Sequence, residues 1–174
     1  MSTKTLSPRP SQLDQAAFVE RFGDIYEHSP WVAELAWQRG LSDEQDSPEG
    51  LATAMGRVLS EADPERQLEV IRAHPDLAGK AAIAGELTDD STSEQAGAGL
   101  DQCSPEEMAR FERLNAAYKE RFGFPFVMAV KGSDRHDILA AFETRLNNEP
   151  AEERRTAIEQ INRIAAFRLE ERAA

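Results

Sequence analysis

The sequence predicts an all-α protein: a single compact multi-helix domain with one extended FGFPFV segment at its site. Three observations carry that expectation. A small polar residue stands directly before proline at Ser29-Pro30, Ser47-Pro48, Asp63-Pro64 and Ser104-Pro105. Each pair reads as a helix start, because the polar side chain can accept an orphan backbone N–H and proline at the first helical position has no N–H to lose. Apolar residues recur at spacings of three and four through most of the chain. Only Phe122 to Gly132, FGFPFVMAVKG, departs from that spacing, and Pro125 within it cannot continue a helix.

Taken in order, residues 1–10 are polar with two prolines and read as a flexible, dispensable leader, leaving 11–174 as the folded domain. From Ser11 a helical pattern places Phe18, Val19 and Phe22 on one side until Gly23. The proline starts then open helices over roughly Pro30 to Gln38, Pro48 to Glu61, Pro64 to Ala73 and Pro105 to Arg121. Gly40 and Gly123 fall where C-terminal caps belong. In the longest of these helices Met108, Phe111, Leu114, Ala117 and Tyr118 form a core stripe, with Ser104 and Glu107 placed for a capping box. The segment from Phe122 to Gly132 reads as a strand. It has no pairing partner, so its peptide groups must meet loops, water or a ligand, and it is either a buried connector or a ligand-binding backbone. Two helices follow, Arg135 to Asn147, burying Ile138, Leu139, Phe142 and Leu146, and Ala151 to Arg172.

At 174 residues with 40% hydrophobic and 30% charged composition, the chain reads as a soluble globular protein able to bury a core without staples. No apolar run approaches a membrane span, so no membrane partner is expected. A net charge of -12 and the absence of a basic patch argue against nucleic acid. The N-terminus lacks a signal-peptide core and the terminal ERAA is not the usual peroxisomal address, which leaves a cytoplasmic location as the default. Cys103 is the one cysteine, and the histidines are His28, His74 and His136. That supply excludes an internal disulfide and leaves few transition-metal ligands.

Chemistry concentrates between Ala73 and Gln95, AHPDLAGKAAIAGELTDDSTSEQ. Pro75 disfavours the α conformation at His74, so a helix should end there. The residue suits acid–base work, and equally suits an ordinary role at a helix C-terminus. Glu94 completes the pattern Ser91-Thr92-Ser93-Glu94 of a capping box, with Gln95 on the first turn, where free N–H groups attract anions. A metal site built from His74, Asp76 and Glu94 matches no standard ligand spacing, and none is assigned. Arg168 lies within the apolar face Ile158, Ile161, Ile164, Ala165 and Leu169. It must meet an internal carboxylate, clamp an anionic ligand or snorkel to solvent.

Five segments together resemble the 2-oxo-4-hydroxy-4-carboxy-5-ureidoimidazoline (OHCU) decarboxylase family. They are FGDIYEHSPW at Phe22 to Trp31, HPDLAGK at His74 to Lys80, STSEQAGAGL at Ser91 to Leu100, FGFPFVMAVKG, and RIAAFRL at Arg163 to Leu169. The resemblance implies an all-α fold, usually a homodimer, that converts the small molecule OHCU to (S)-allantoin in urate breakdown with no cofactor and no metal. By matching motifs it places His74, Glu94 and Arg168 at the family's catalytic positions. Pro75, Ser91, Thr92, Ser93, Gln95, Phe126, Val127, Met128, Ala129 and Val130 take its substrate-binding positions. Two readings from other classes stay open beside it: a non-catalytic module binding a ureide or purine-derived ligand, and a structural helical protein. FGDIYEHSPW gathers Phe22, Ile25, Tyr26 and Trp31, which serve either as interface or as core.

Overall fold

Eight α-helices form among the described residues, 4–79 and 85–173 of the computed structural model, and no strand is present among them. The all-helical expectation therefore holds. The chain divides into two compact units, Met1–Ala73 with Ile161–Ala174, and His74–Gln160.

In the first unit the starts are built much as the sequence dictates. Helix α1, Gln15–Phe22, is capped by Asp14, which accepts from the Ala17 N–H at 2.8 Å. Helix α3, Pro48–Glu61, begins with Ser47 accepting from Gly50 N–H at 3.1 Å, and α4, Pro64–Arg72, with Asp63 accepting from Arg66 N–H at 2.9 Å. Helix α2, Trp31–Gln38, differs. Pro30 has α-region dihedrals and caps it without a side-chain bond, while the Ser29 hydroxyl turns back to donate to the Glu27 carbonyl at 3.0 Å. A serine offered a nearer backbone acceptor in a tight turn takes it, and the expected cap is lost.

Phe18, Phe22, Ile25 and Tyr26 are buried in this unit with Val32, Leu51, Met55, Leu59, Val70 and Ile71. The aromatic cluster of FGDIYEHSPW is thus core for three of its four large residues. The fourth, Trp31, is half-buried with the Arg66 guanidinium 4.8 Å from its ring centroid. Burial pushes the Tyr26 hydroxyl above its ordinary pKa, and the group donates to Asn162 Oδ1 at 2.7 Å.

The leader departs from expectation. Leu6 is 1% exposed, donates its N–H to the Asp46 carbonyl at 2.7 Å and pairs in an antiparallel bridge with Ala173. Lys4 meets Glu170 at 2.9 Å, and Ser11 binds the Asp46 carboxylate through its N–H and hydroxyl. The buried Leu6 and Pro10, with the Lys4 ion pair, dock residues 4–10. Residues 1–3 lie outside the described residues.

The second unit holds α5, Asp89–Gly97, α6, Pro105–Phe122, α7, Arg135–Arg145, and α8, Pro150–Arg172, as far as Gln160; the rest of α8 belongs to the first unit. The Ser104–Glu107 capping box forms, and Gly123 at φ 78° closes α6 in the left-handed conformation that glycine adopts without steric cost. Of the α6 stripe, Phe111 and Tyr118 are fully buried, with Asn115 in phase between them.

Tyr118 meets Phe124, Phe126 and Phe142 edge-on, and Phe126 stacks on Phe142 at 4.0 Å. These rings fix the path of the segment after α6. That segment has no regular structure over 125–130 and joins no ladder, so the expected strand is a correction. β-branched and aromatic residues favour the extended backbone, but a strand needs a neighbour and the described residues of this unit offer no second strand.

Candidate active site

Helix α4 ends at Arg72, Ala73 caps it, and His74 follows, buried at 8% exposure. The Pro75 restriction thus ends the helix where the sequence places it. The residues after it form a turn in which Ala78 has φ 52°, a left-handed conformation costly for any residue with a Cβ. Two side chains hold that turn. Gln95 accepts from the Ala78 N–H at 3.0 Å and donates to the Asp76 carbonyl at 3.3 Å, while Asn115 donates to the Leu77 carbonyl at 3.0 Å. Asp76 also meets Lys119 Nζ at 2.6 Å. Lys80, which closes the HPDLAGK motif, lies outside the described residues.

Gln95 and Glu94 sit in α5, and here the start of the helix is a correction. The N-cap is Thr88, whose hydroxyl accepts from Ser91 N–H at 3.2 Å, so Ser91 is the third helical residue and no capping box joins it to Glu94. Gln95 is accordingly in the second turn. The physical reason is competition between two caps one turn apart. Thr88 wins with Asp89 and Asp90 behind it, because acids in the first turn suit the helix dipole. One face of α5 then carries Ser91, Glu94 and Gln95, at spacings of three and four. Ser91 and Gln95 are buried, Glu94 is half-buried, and Thr92 and Ser93 are exposed on the other side. Since Gln95 grips the turn after His74, the structure brings α5 and that turn together.

A cavity of about 700 Å³ adjoins the turn, lined by Asp76, Ala78 and Gly79 and by Met108, Asn115 and Lys119 of α6. His74 is not among its described lining residues. Within it, the amide orientation of Asn115 is fixed by its donation to Leu77, which leaves Oδ1 as a buried acceptor without a protein partner. Asn115 was not singled out from the sequence. Its signal was an amide in phase with the Phe111 and Tyr118 stripe.

The segment after α6 places Phe126, Val127, Ala129 and Val130 in buried positions and Met128 in a half-buried one. The Val127 carbonyl accepts from Arg145 Nη1 at 2.7 Å, and the Ala129 N–H donates to Gln160 Oε1 at 2.9 Å. Among the described residues the peptide groups of Phe126 and Met128 make no hydrogen bond.

Arg168 belongs to the first unit. It is 3% exposed, its Nη2 lies 3.0 Å from Glu27 Oε1 and its Nη1 donates to the Ile25 carbonyl at 3.3 Å. Both side chains of the ion pair are 2% exposed. Of the three fates the sequence allowed this arginine, the internal carboxylate is present. Glu27 was missed because nothing in its own neighbourhood marks it. A glutamate on a short connection is usually solvated, and its partner lies 141 residues away.

Cys103 is half-buried, and its thiol pKa is raised by burial and then by the nearby Glu107 carboxylate, which keeps it a poor nucleophile. Among the described residues no group of three or more His, Cys, Asp or Glu side chains stands close enough to hold a metal ion. None of the described helices is long and apolar enough to cross a membrane.

Comparison with known proteins adds descent to this geometry. The model of the family described as OHCU decarboxylase matches residues 11–170. A Haloferax volcanii protein named 2-oxo-4-hydroxy-4-carboxy-5-ureidoimidazoline decarboxylase is 47% identical over 93% of this chain and 92% of its own length. The Bacillus subtilis uric acid degradation bifunctional protein PucL is 40% identical over 91% of this chain, which spans 31% of that longer protein. Among solved structures, a crystal structure of (S)-allantoin synthase superposes with a TM-score of 0.75 at 30% identity, covering 95% of this chain and 52% of that one. This chain belongs to the OHCU decarboxylase family of carboxy-lyases.

Proposed function

We propose that the protein decarboxylates OHCU to (S)-allantoin in urate breakdown, with His74 and Glu94 as its acid–base pair. The observation that carries this reading is the grip of Gln95 on the turn after His74, which ties a buried histidine to the helix bearing Glu94. Family membership supports the substrate class, and the matching motifs support the residues.

The reaction needs orientation and proton handling more than an external electron sink. The carbon that loses CO₂ neighbours a ring C=N bond, so the electron pair of the breaking C–C bond moves onto that nitrogen, which takes up a proton. The ureido-bearing carbon is then protonated from one face as the adjacent hydroxyl gives up its proton, leaving CO₂ and (S)-allantoin. His74, coupled to Glu94, handles the hydroxyl or ring proton. Arg168, held by Glu27 and the Ile25 carbonyl, supplies a fixed cation for substrate oxygens and developing charge.

Pro75, Ser91, Thr92, Ser93 and Gln95, together with the segment from Phe126 to Val130, belong to substrate binding in this reading. Phe126 and Met128 have peptide groups available for a ligand. The exposure of Thr92 and Ser93 limits them to a rim role. A homodimer in the cytoplasm is part of the same reading, and sedimentation equilibrium of the purified chain checks its oligomeric half.

The test generates OHCU in place from urate with urate oxidase and hydroxyisourate hydrolase and follows circular dichroism. Rapid growth of an optically active allantoin signal upon adding the protein is the expected outcome. Slow, optically silent decay matching the protein-free control would reject the activity.

A further inference from the structure

An extended segment without a strand partner has two edges, because N–H and C=O of one residue point to one side and those of the next residue to the other. Here alternate peptide groups are treated differently. The Val127 and Ala129 peptide groups are both tied by side chains: Arg145 donates to the Val127 carbonyl at 2.7 Å and Gln160 accepts from Ala129 N–H at 2.9 Å. The Phe126 and Met128 peptide groups, which alternate with them along the chain, make no hydrogen bond among the described residues.

Arg145 is itself held from behind. Its Nε lies 2.5 Å from Glu153 Oε1, and Glu153, with 0% exposure, also accepts from the Tyr118 hydroxyl at 2.6 Å and from Asn148 Nδ2 at 3.1 Å. The guanidinium stands 4.3 Å from the Phe126 ring centroid. Burial and the donation to Glu153 push the Tyr118 hydroxyl above its ordinary pKa, so it remains a donor.

Stability alone is a poor reason for this arrangement. A buried ion pair seldom outperforms apolar residues of similar volume, because desolvating both charges offsets their attraction. This one also leaves Arg145 Nη2 buried without a partner, a further cost that a purely structural pair has no reason to carry. What the network does accomplish is to fix the rotation of the Val127 peptide, and with it the direction of its neighbours along the chain.

We propose that Arg145, fixed by Glu153, and Gln160 are positioning residues that hold the Val127 and Ala129 peptide groups so that those of Phe126 and Met128 are presented to the substrate. This rests on the reading that the segment binds substrate, and the experiment separates the two. Arg145→Lys keeps the charge but, as a point donor without the planar fork, cannot serve Glu153 and Val127 together. Gln160→Ala removes the second anchor at a half-buried site where folding is not at risk. Met128→Pro deletes the open N–H in a segment outside any helix or ladder, where proline is tolerated.

Each variant is assayed by allantoin circular dichroism with KM and kcat separated and with the enantiomeric excess of the product, all normalised to folded protein by thermal unfolding. The expected result is KM raised by about three- to tenfold per lost anchor, with a smaller change in kcat and lower enantiomeric excess in Arg145→Lys. Conservative Glu153→Gln, which keeps an acceptor for Arg145 Nε, should lose less than Arg145→Lys. If Met128→Pro raises KM while Gln160→Ala and folded Arg145→Lys leave it unchanged, the positioning role is wrong and the segment still binds substrate. If Met128→Pro leaves KM and enantiomeric excess unchanged in a folded protein, substrate binding by the segment fails and the positioning role fails with it.

Discussion

Replacing Gln95 with leucine tests whether the turn after His74 is built by this one side chain. The substitution conserves shape approximately and deletes two hydrogen bonds, the acceptance from Ala78 N–H and the donation to the Asp76 carbonyl. Ala78 is 6% exposed, so its N–H would be left buried without an acceptor, at a cost of about 1–3 kcal/mol. Its left-handed backbone, φ 52°, stores about 1–2 kcal/mol that the turn can release by relaxing once Gln95 lets go. The two terms oppose each other and are of similar size, so the net loss of stability should be small, about 1 kcal/mol or less, read as a shift of the urea midpoint.

The functional loss should be larger, because a relaxed turn displaces His74, and a misplacement of about 1 Å costs on the order of a hundredfold in rate. Allantoin circular dichroism on the same preparation measures it, with kcat as the parameter expected to fall. Unchanged stability with an increase in KM alone would refute the reasoning. Gln95 would then act through substrate binding alone, and the turn would not depend on it.

Three further outcomes follow from the structure. Leu6→Ala should destabilise the protein by about 2–5 kcal/mol in denaturant unfolding, as for other buried leucines, since Leu6 is 1% exposed; an unchanged midpoint would return the leader to a dispensable role. Glu27→Ala removes the carboxylate from a buried pair and should cost about 3–5 kcal/mol, with Glu27→Gln less harmful because it keeps an acceptor for Arg168. In acid, Glu107 gives a signed expectation. The Ser104 backbone N–H, and after it Arg135, lowers its pKa from the ordinary value of 4.5, so the stabilisation is present above 4.5 and is lost as pH falls through the lower folded value. Glu107→Gln should flatten that part of the stability profile below pH 4.5, and an unaltered acid limb would contradict it.

The helices were legible because their starts are chemical. Ser47, Asp63 and Ser104 each accept the backbone N–H that an N-cap should. Where two caps compete, the sequence is harder to read: Thr88 and Ser91 stand three apart, and the acids Asp89 and Asp90 behind Thr88 favour the earlier one. His74 and Arg168 stood out by local rule, one before a proline and one on an apolar face. The carboxylate that meets Arg168, Glu27, did not, and neither did the hold of Gln95 on the turn after His74, because both act through contacts that sequence spacing cannot reveal. Arg145 and Glu153 carried the same signal as Arg168, a charge in phase with buried residues, Ile138 and Phe142 in one helix and Ala157 and Ile161 in the other. The segment from Phe122 to Gly132 was legible as a break in the helical pattern, but not which of its peptide groups are tied, since the anchors come from two later helices.

The measurement that bears most directly on the central claim compares wild type with His74→Asn in the coupled urate assay, following optically active allantoin at equal concentrations of folded protein. General acid–base catalysis by a positioned side chain is worth on the order of a hundredfold or more, so the variant should lose at least that factor in kcat while unfolding as the wild type does. Near-normal, stereospecific turnover by folded His74→Asn would contradict the assignment of the histidine.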